Sequence, residues 1–449
     1  MKSATRIHRF CTLLALLVVV SLLSAPLMPL AQARVYVEIN QASRQPFPLA
    51  IPKFKNLGKN ADPDNVSEQL ADLVMADLRL TGLFNLLDRK AYIEDSAKAG
   101  IMPDQFDFAS WKQIDALGLV KAGFTVTGST LKVETRIFDV LAQAQIGGKT
   151  YDNGSVKDLR RIAHRIASDI VYQFTGEQGF FMSRITAVSS LTGNKEIVVM
   201  DVDGKAMVSL SSNKSINLLP AWSPRGDKIA YTSYKANNPD MYVADLVKGV
   251  TKRVSAQQGI NSGAAFSPDG KQIALTLSKD GDPDIYLIDL EGQEVARLTK
   301  SYGVDSSPTW SPDGKRLAFV SSRAGGAHIF VINRDGSNVK RLTFAGSQNV
   351  SPQWSPRGDK IAFQGRDQGA FDVFVMNADG SNIVRLTQDQ GDNEDPCWSP
   401  DGNYLLFSST RNAKGGHLYI SSADGRSQVR ITDGPGGYTN PDWSNFLSW

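Results

Sequence analysis

The 449 residues carry 49 Lys and Arg against 46 Asp and Glu. Lys2, Arg6 and Arg9 lie in an apolar leader, so the rest of the chain balances at 46 against 46. A nucleic-acid binder keeps a surplus of cations, and that class is excluded. Of the 2 cysteines, only Cys397 follows the leader, which excludes an intrachain disulfide framework in the exported chain.

Residues 1–33 read as a secretory signal peptide. After the basic start, Phe10 to Leu30 is mostly apolar and Ala31-Gln32-Ala33 supplies an Ala-x-Ala cleavage signal. The apolar core Leu13 to Leu23 is too short for an ordinary membrane span. Cys11 precedes the cleavage signal, so it cannot serve as a lipid anchor just behind it, and a soluble exported protein is expected.

Residues 34–176 read as a small N-terminal α/β domain. Strands are expected at Arg34 to Ile39, Leu49 to Pro52 and Phe84 to Leu87. Leu70, Leu73, Val74 and Leu78 share one face of a helix over Val66 to Leu80. A short helix follows at Ala109 to Leu117, then a hairpin of Phe124–Thr127 with Leu131–Ile137 about Gly128-Ser129, and a strand near Ile146 to Tyr151. Ile162, Ile166, Ile170 and Phe174 stripe a long last helix, in which His164 is expected at an edge. Gly176 to Gly179 marks the boundary.

Residues 177–449 repeat. Trp222-Ser223-Pro224, Phe266-Ser267-Pro268, Trp310-Ser311-Pro312, Trp354-Ser355-Pro356 and Trp398-Ser399-Pro400 are spaced by 44 residues, and Trp443 follows after 45. Such a period, with several strands per unit, marks a propeller blade. In one unit Pro308–Trp310, Arg316–Val320, Ile329–Ile332 and Val339–Thr343 are four strands. Ser311-Pro312-Asp313-Gly314 and Asn333-Arg334-Asp335-Gly336 are turns. A headless unit at 184–210 lacks the Trp strand, and Pro441-Asp442-Trp443 supplies it. The chain therefore predicts a six-bladed β-propeller closed by the C-terminal strand, which leaves no open sheet edge and gives no reason for an oligomer.

The leader, the α/β domain with Asp88-Arg89 after a short strand, the Trp-Ser-Pro-x-Gly repeats, the Asn377-Ala378-Asp379-Gly380 turn and the Arg-Leu-Thr endings (Arg341-Leu342-Thr343, Arg385-Leu386-Thr387) together resemble the TolB family. That family is the periplasmic component of the Tol-Pal envelope system of Gram-negative bacteria. The resemblance implies a non-enzymatic periplasmic scaffold without a cofactor or transmembrane segment. Its propeller is expected to bind the peptidoglycan-associated lipoprotein Pal, and its N-terminal segment, here Arg34, Val35, Tyr36 and Val37, to contact TolA. Implied roles are outer-membrane integrity and constriction in cell division. The alternative is a periplasmic propeller that binds a glycan or peptide.

Blade topology places the partner site. If the Trp strand runs down the channel, the Ser-Pro turns lie at the bottom, and the loops between strands two and three return to the top. The residues expected to face a partner there are Asn261, Asp305, Asn349, Glu394 and Asp395 around the mouth, with Arg323, Arg366 and Arg411 on the loops. A propeller-bearing peptidase would need a further α/β domain with Gly-x-Ser-x-Gly, and the sequence has neither. His164, His328 and His417 lack metal-site spacing. The Asp201-Val202-Asp203-Gly204 type of turn needs no calcium to explain it.

Overall fold

The computed structural model describes residues 45–447 apart from 60, 63, 96, 97, 368, 413 and 414. The leader and the segment carrying Arg34, Val35, Tyr36 and Val37 lie outside the described residues. The N-terminal sheet comprises β1 (Phe47–Ala50), β2 (Lys55–Asn56), β3 (Phe84–Leu86), β4 (Gly118–Thr127), β5 (Thr130–Asp139) and β6 (Ala144–Ser155). Its order is β3-β1-β4-β5-β6, with β2 also pairing β4. β1 runs parallel to β3 and β4, whereas β4, β5 and β6 are antiparallel.

Helices α1 (Val66–Thr81) and α3 (Leu159–Thr175) pack together on one face. The start of α1 is held by Asp62, whose two carboxylate oxygens accept the Val66 and Ser67 N–H groups at 2.8 and 2.9 Å. Its end falls at Gly82, whose left-handed φ of 66° lets the chain turn without a Cβ penalty. Leu70, Val74 and Leu78 are buried against Ile166, Ile170 and Phe174 of α3. On the opposite sheet face, the short α2 (Phe108–Lys112) joins Ala50, Trp111, Leu119 and Phe138 in a second core.

The propeller has six four-stranded sheets. Blades one to five begin with the strands Asn217–Trp222, Asn261–Phe266, Asp305–Trp310, Gln348–Trp354 and Asn393–Trp398. Blade six has the order Tyr438–Trp443, Arg184–Ser189, Glu196–Asp201, Val208–Ser209, so the C-terminal strand closes the ring. Trp443 pairs with Ile185, and its indole N–H donates to the Ser183 hydroxyl at 2.8 Å.

Outer strands are shorter than expected: Val339–Thr343 shrinks to Lys340–Arg341. The Arg-Leu-Thr ending turns inward instead. The hydroxyls of Thr299, Thr343, Thr387 and Thr432 accept the N–H groups of Ile285, Ile329, Val373 and Leu418 at 2.9–3.0 Å. The motif thus fastens the outer strand to the third strand in blades two to five.

The N-terminal region packs against the basal side of the ring. The Tyr404 hydroxyl donates to the Thr81 carbonyl at 3.3 Å, and Glu177 accepts from Arg357 and Asn403 in basal turns. One buried cluster runs from Leu70 and Phe174 through Phe180 to Leu406 and Trp443. The top loops lie at the other end of the strands.

Candidate partner surface at the propeller top

The inner strands of blades one to five carry a buried polar residue at, or in blade four one residue after, their top end: Asn217, Asn261, Asp305, Asn349 and Asn393. Asn261 accepts the Ser255 hydroxyl at 2.6 Å and the Gln257 N–H at 3.0 Å, and donates to the Gln257 carbonyl at 2.7 Å. Asp305 accepts the Ser301 hydroxyl at 2.9 Å and Arg323 at 2.7 Å. Asn349 donates to the Ala345 carbonyl at 2.8 Å and meets His328 Nδ1 at 3.2 Å. These three side chains hold the interblade links together. The expectation that they face a partner is corrected by their burial, because links without secondary structure need side-chain caps for their backbone groups.

The arginines are also engaged within the chain. Arg323 donates to Ser321 and Asp305 and lies over Phe319 and Phe330. Arg411 donates to Ser409, Gln428 and Asn393 and lies over the Tyr419 ring at 4.3 Å. Arg366 stacks on Phe371 at 3.9 Å. Each of the three residues is half-buried.

Two acidic residues remain at the channel mouth. Glu394 is half-buried; burial, and then the charges of Asp395 and Asp392, push its carboxyl above the usual range. Asp395 accepts the Ser351 hydroxyl at 3.0 Å and the Asn440 amide at 2.8 Å, while its own N–H donates to Gln364 at 2.6 Å. Burial raises its pKa.

Asp395 also belongs to a ring that the sequence pattern did not reveal. Leu219, Gly263, Ser307, Ser351, Asp395 and Asn440, the third or fourth residue of each inner strand, all have φ between 46° and 66°. Each marks a break in register with the second strand, so six β-bulges encircle the channel. The recurrent Pro after them (220, 308, 352, 396 and 441) was the available signal. Below the ring, Ala221, Ala265, Thr309, Gln353, Cys397 and Asp442 line a cavity of about 370 Å³ together with the Ser-Pro turns. Cys397 is buried there.

Burial moves the Asp442 carboxyl up to about 6, although it accepts the Trp222 N–H at 2.7 Å. Against an ordinary value of 3.8, the folded state holds the proton longer, so stability falls as pH rises from about 4 through about 6. Asp442→Asn keeps an acceptor for Trp222. It is expected to remove that pH dependence and to stabilise the protein near neutrality by up to about 3 kcal/mol. Urea midpoints between about pH 4 and 7 check this; an unchanged profile counts against it.

Sequence reasoning also missed an apolar arc. Ile216, Ile260 and Val304 stand exposed just before the inner strands of blades one to three, and Tyr302 and Phe344 on nearby links are 92% and 73% exposed. Clustered exposed apolar side chains on one face signal association. Facing them across the channel are Glu394, Asp395 and Asn440.

The second departure is His164, which is 6% exposed rather than at a helix edge. Its Nδ1 bonds Asp77 at 2.7 Å and its Nε2 stands 3.5 Å from Asp201. Arg160 donates to Asp203 at 2.6 and 2.7 Å and to Asp201 at 3.2 Å. Burial lowers the imidazole pKa, but the bonds and charges of Asp201 and Asp77 outweigh it and raise it to about 10. His164, Asp201 and Asp203 are the one group with metal-ligand spacing among the described residues. Arg160 occupies both carboxylates, so the donor set does not suit a cation. The Asp-Val-Asp-Gly turn of blade six thus binds the N-terminal domain to the propeller.

Comparison with known proteins agrees with this architecture. Residues 171–447 match the family model described as the TolB beta propeller domain, and residues 35–146 match the TolB amino-terminal domain. The Tol-Pal system protein TolB of Desulfosudis oleivorans is 40% identical over 51% of this chain and 52% of its own length. That of Geobacter sulfurreducens is 41% identical over 49% of each. The aligned chain spans about half the length of the curated relatives it matches. The crystal structure of TolB from Acinetobacter baumannii superposes with a TM-score of 0.78 at 28% identity, covering 91% of this chain and 99% of that one. An α/β domain fused to a six-bladed ring, with both family models matched along it, makes this chain a member of the TolB family.

Proposed function

We propose that this chain is a non-enzymatic periplasmic scaffold of the Tol-Pal system whose propeller top binds the peptidoglycan-associated lipoprotein Pal. Its N-terminal segment would communicate with TolA, and the assembly would support outer-membrane integrity and constriction. The observation that carries the reading is the top face itself. It lies away from the N-terminal domain and combines the acidic mouth at Glu394 and Asp395 with the exposed apolar arc at Tyr302 and Phe344. Apolar anchors beside charged groups suit recognition of a protein surface. No described helix is long and apolar enough to cross a membrane, in keeping with a peripheral role.

The test is calorimetric titration of the exported chain with the periplasmic domain of Pal from the same organism. Glu394→Gln with Tyr302→Ser is the suitable variant, because Asp305, Asn261 and Asn349 are structural and their replacement would disturb the loops. The variant is expected to fold normally and to bind about tenfold or more weakly, since a buried aromatic anchor contributes about 2 kcal/mol or more. Binding unchanged by the variant would move the site away from this face. No interaction at micromolar concentrations would refute the Pal reading.

A further inference from the structure

We infer that the outer edge of β6 receives an extended peptide of another protein, which adds a strand to the N-terminal sheet and lies in a groove between β6 and α3. The strand order ends at β6, so one edge of this strand pairs with β5 and the other pairs with no strand among the described residues. β6 is 12 residues long, about twice the usual strand, and contains no proline. A long unpaired edge is a template for another chain, and proteins commonly blunt such edges by shortness or proline. The outer strands of the propeller blades are blunted in this way, at 2–6 residues each. The edge of β6 is not.

Helix α3 runs along the same strand. At one end Gln173 donates to the Ile146 carbonyl at 2.7 Å, and at the other Ile162 fills the place that a Gly154 side chain would take. Between these ends lies a groove of about 730 Å³, lined by Lys149 and Tyr151 of β6 and by Arg165, Asp169 and Tyr172 of α3. An edge strand beside a helical wall is suited to strand addition. Main-chain bonds then supply affinity, and alternate side chains of the peptide enter the groove. Charge selects the peptide. Asp169 is taken up by Lys149 at 3.0 Å and by the Tyr151 hydroxyl at 2.7 Å. Asp152, the other carboxylate of the groove, faces the charge of Lys132. Arg165 lies over the Tyr151 ring at 5.7 Å and makes no hydrogen bond or ion pair among the described residues. The uncommitted charge is therefore cationic. Two turns along α3, Tyr172 is 58% exposed and offers an apolar face. The groove thus fits a strand that alternates acidic and apolar side chains. It belongs to the N-terminal domain and does not rest on the Pal reading.

The probe is a fluorescein-labelled decapeptide alternating Val and Glu, titrated with the full chain and followed by anisotropy. A Val/Lys decapeptide is the control. Saturable binding of the Val/Glu peptide at micromolar concentrations is expected, at least about tenfold tighter than that of the control. Arg165→Gln/Tyr172→Ser changes two exposed residues. It should leave the thermal midpoint in place and weaken binding about tenfold or more. Bound peptide should also slow amide hydrogen exchange along β6, which a contact with the arginine alone would not do. Absence of saturation, equal binding of the control, or unchanged exchange in β6 overturns the proposal. Two further measurements address the other occupants of the edge. Peptide binding that appears only when Val35→Asp/Val37→Asp is introduced would assign the edge to the chain's own N-terminal segment. A dimer found by sedimentation equilibrium in the native protein and lost in Arg165→Gln/Tyr172→Ser would assign it to a second copy. Either result overturns the reading of a separate partner.

Discussion

Trp443→Ala is expected to lower the unfolding free energy by about 3–5 kcal/mol, the range for truncating a large buried aromatic side chain. The side chain is 6% exposed, its ring meets Phe180 edge-on at 5.1 Å, and its N–H is satisfied by Ser183. Truncation leaves a cavity where blade six meets the N-terminal core and removes the donor to the Ser183 hydroxyl, which keeps only its own bond to the Phe180 carbonyl. Trp443→Phe retains most of the packing and is expected to cost less, about 1–3 kcal/mol. Removing the strand from Tyr438 onward exposes the edge of Arg184–Ser189 and is expected to abolish cooperative unfolding. Urea denaturation followed by tryptophan fluorescence measures all three; a Trp443→Ala midpoint equal to the native one would show that closure does not depend on this contact.

His164→Leu is expected to be comparably damaging, about 3–5 kcal/mol, because it strips Asp77 of its partner inside the protein. Asp77 is 1% exposed. The double change Asp77→Asn with His164→Leu should recover part of that loss, since neither residue then buries an unpaired charge. The pH dependence has a definite sign. The folded pKa of about 10 lies above the ordinary 6.5, so the imidazolium contribution is complete below about 6.5 and is lost as pH rises through about 10. Denaturation at about pH 7 and about pH 10 should therefore bring the native protein toward the variant. A constant difference between them across that interval would show that the histidine acts only by filling space.

The repeat made the ring legible. An aromatic every 44 residues and a headless unit whose missing strand lies at the other end leave one economical arrangement, and the strand order follows it. The N-terminal elements were legible where periodicity is strong, as in α1 and α3. The first half of β4 was not, because Gly118-Leu119-Val120-Lys121-Ala122-Gly123 alternates poorly and carries a buried lysine. That lysine is paired with Glu94, a partner no local pattern announces. The partner surface was the least legible part. Polar residues in top loops look alike in sequence whether they cap a link, as Asn261 does, or stand at the mouth, as Glu394 does. Only the interblade register separates them, and the same register exposes Tyr302 and Phe344.

The closing strand also sets an order of synthesis. Trp443 pairs with Ile185, so blade six waits for the whole propeller sequence to emerge before its first-emerged half finds its mate. Until then Arg184–Ser189 offers an unpaired edge, and the core shared by Phe174, Phe180 and Trp443 lacks one wall. Folding across so long a separation pays its loop-closure entropy late. The chain therefore passes through a stage at which its N-terminal domain is made but not yet seated. During that stage it depends on whatever shields nascent strands.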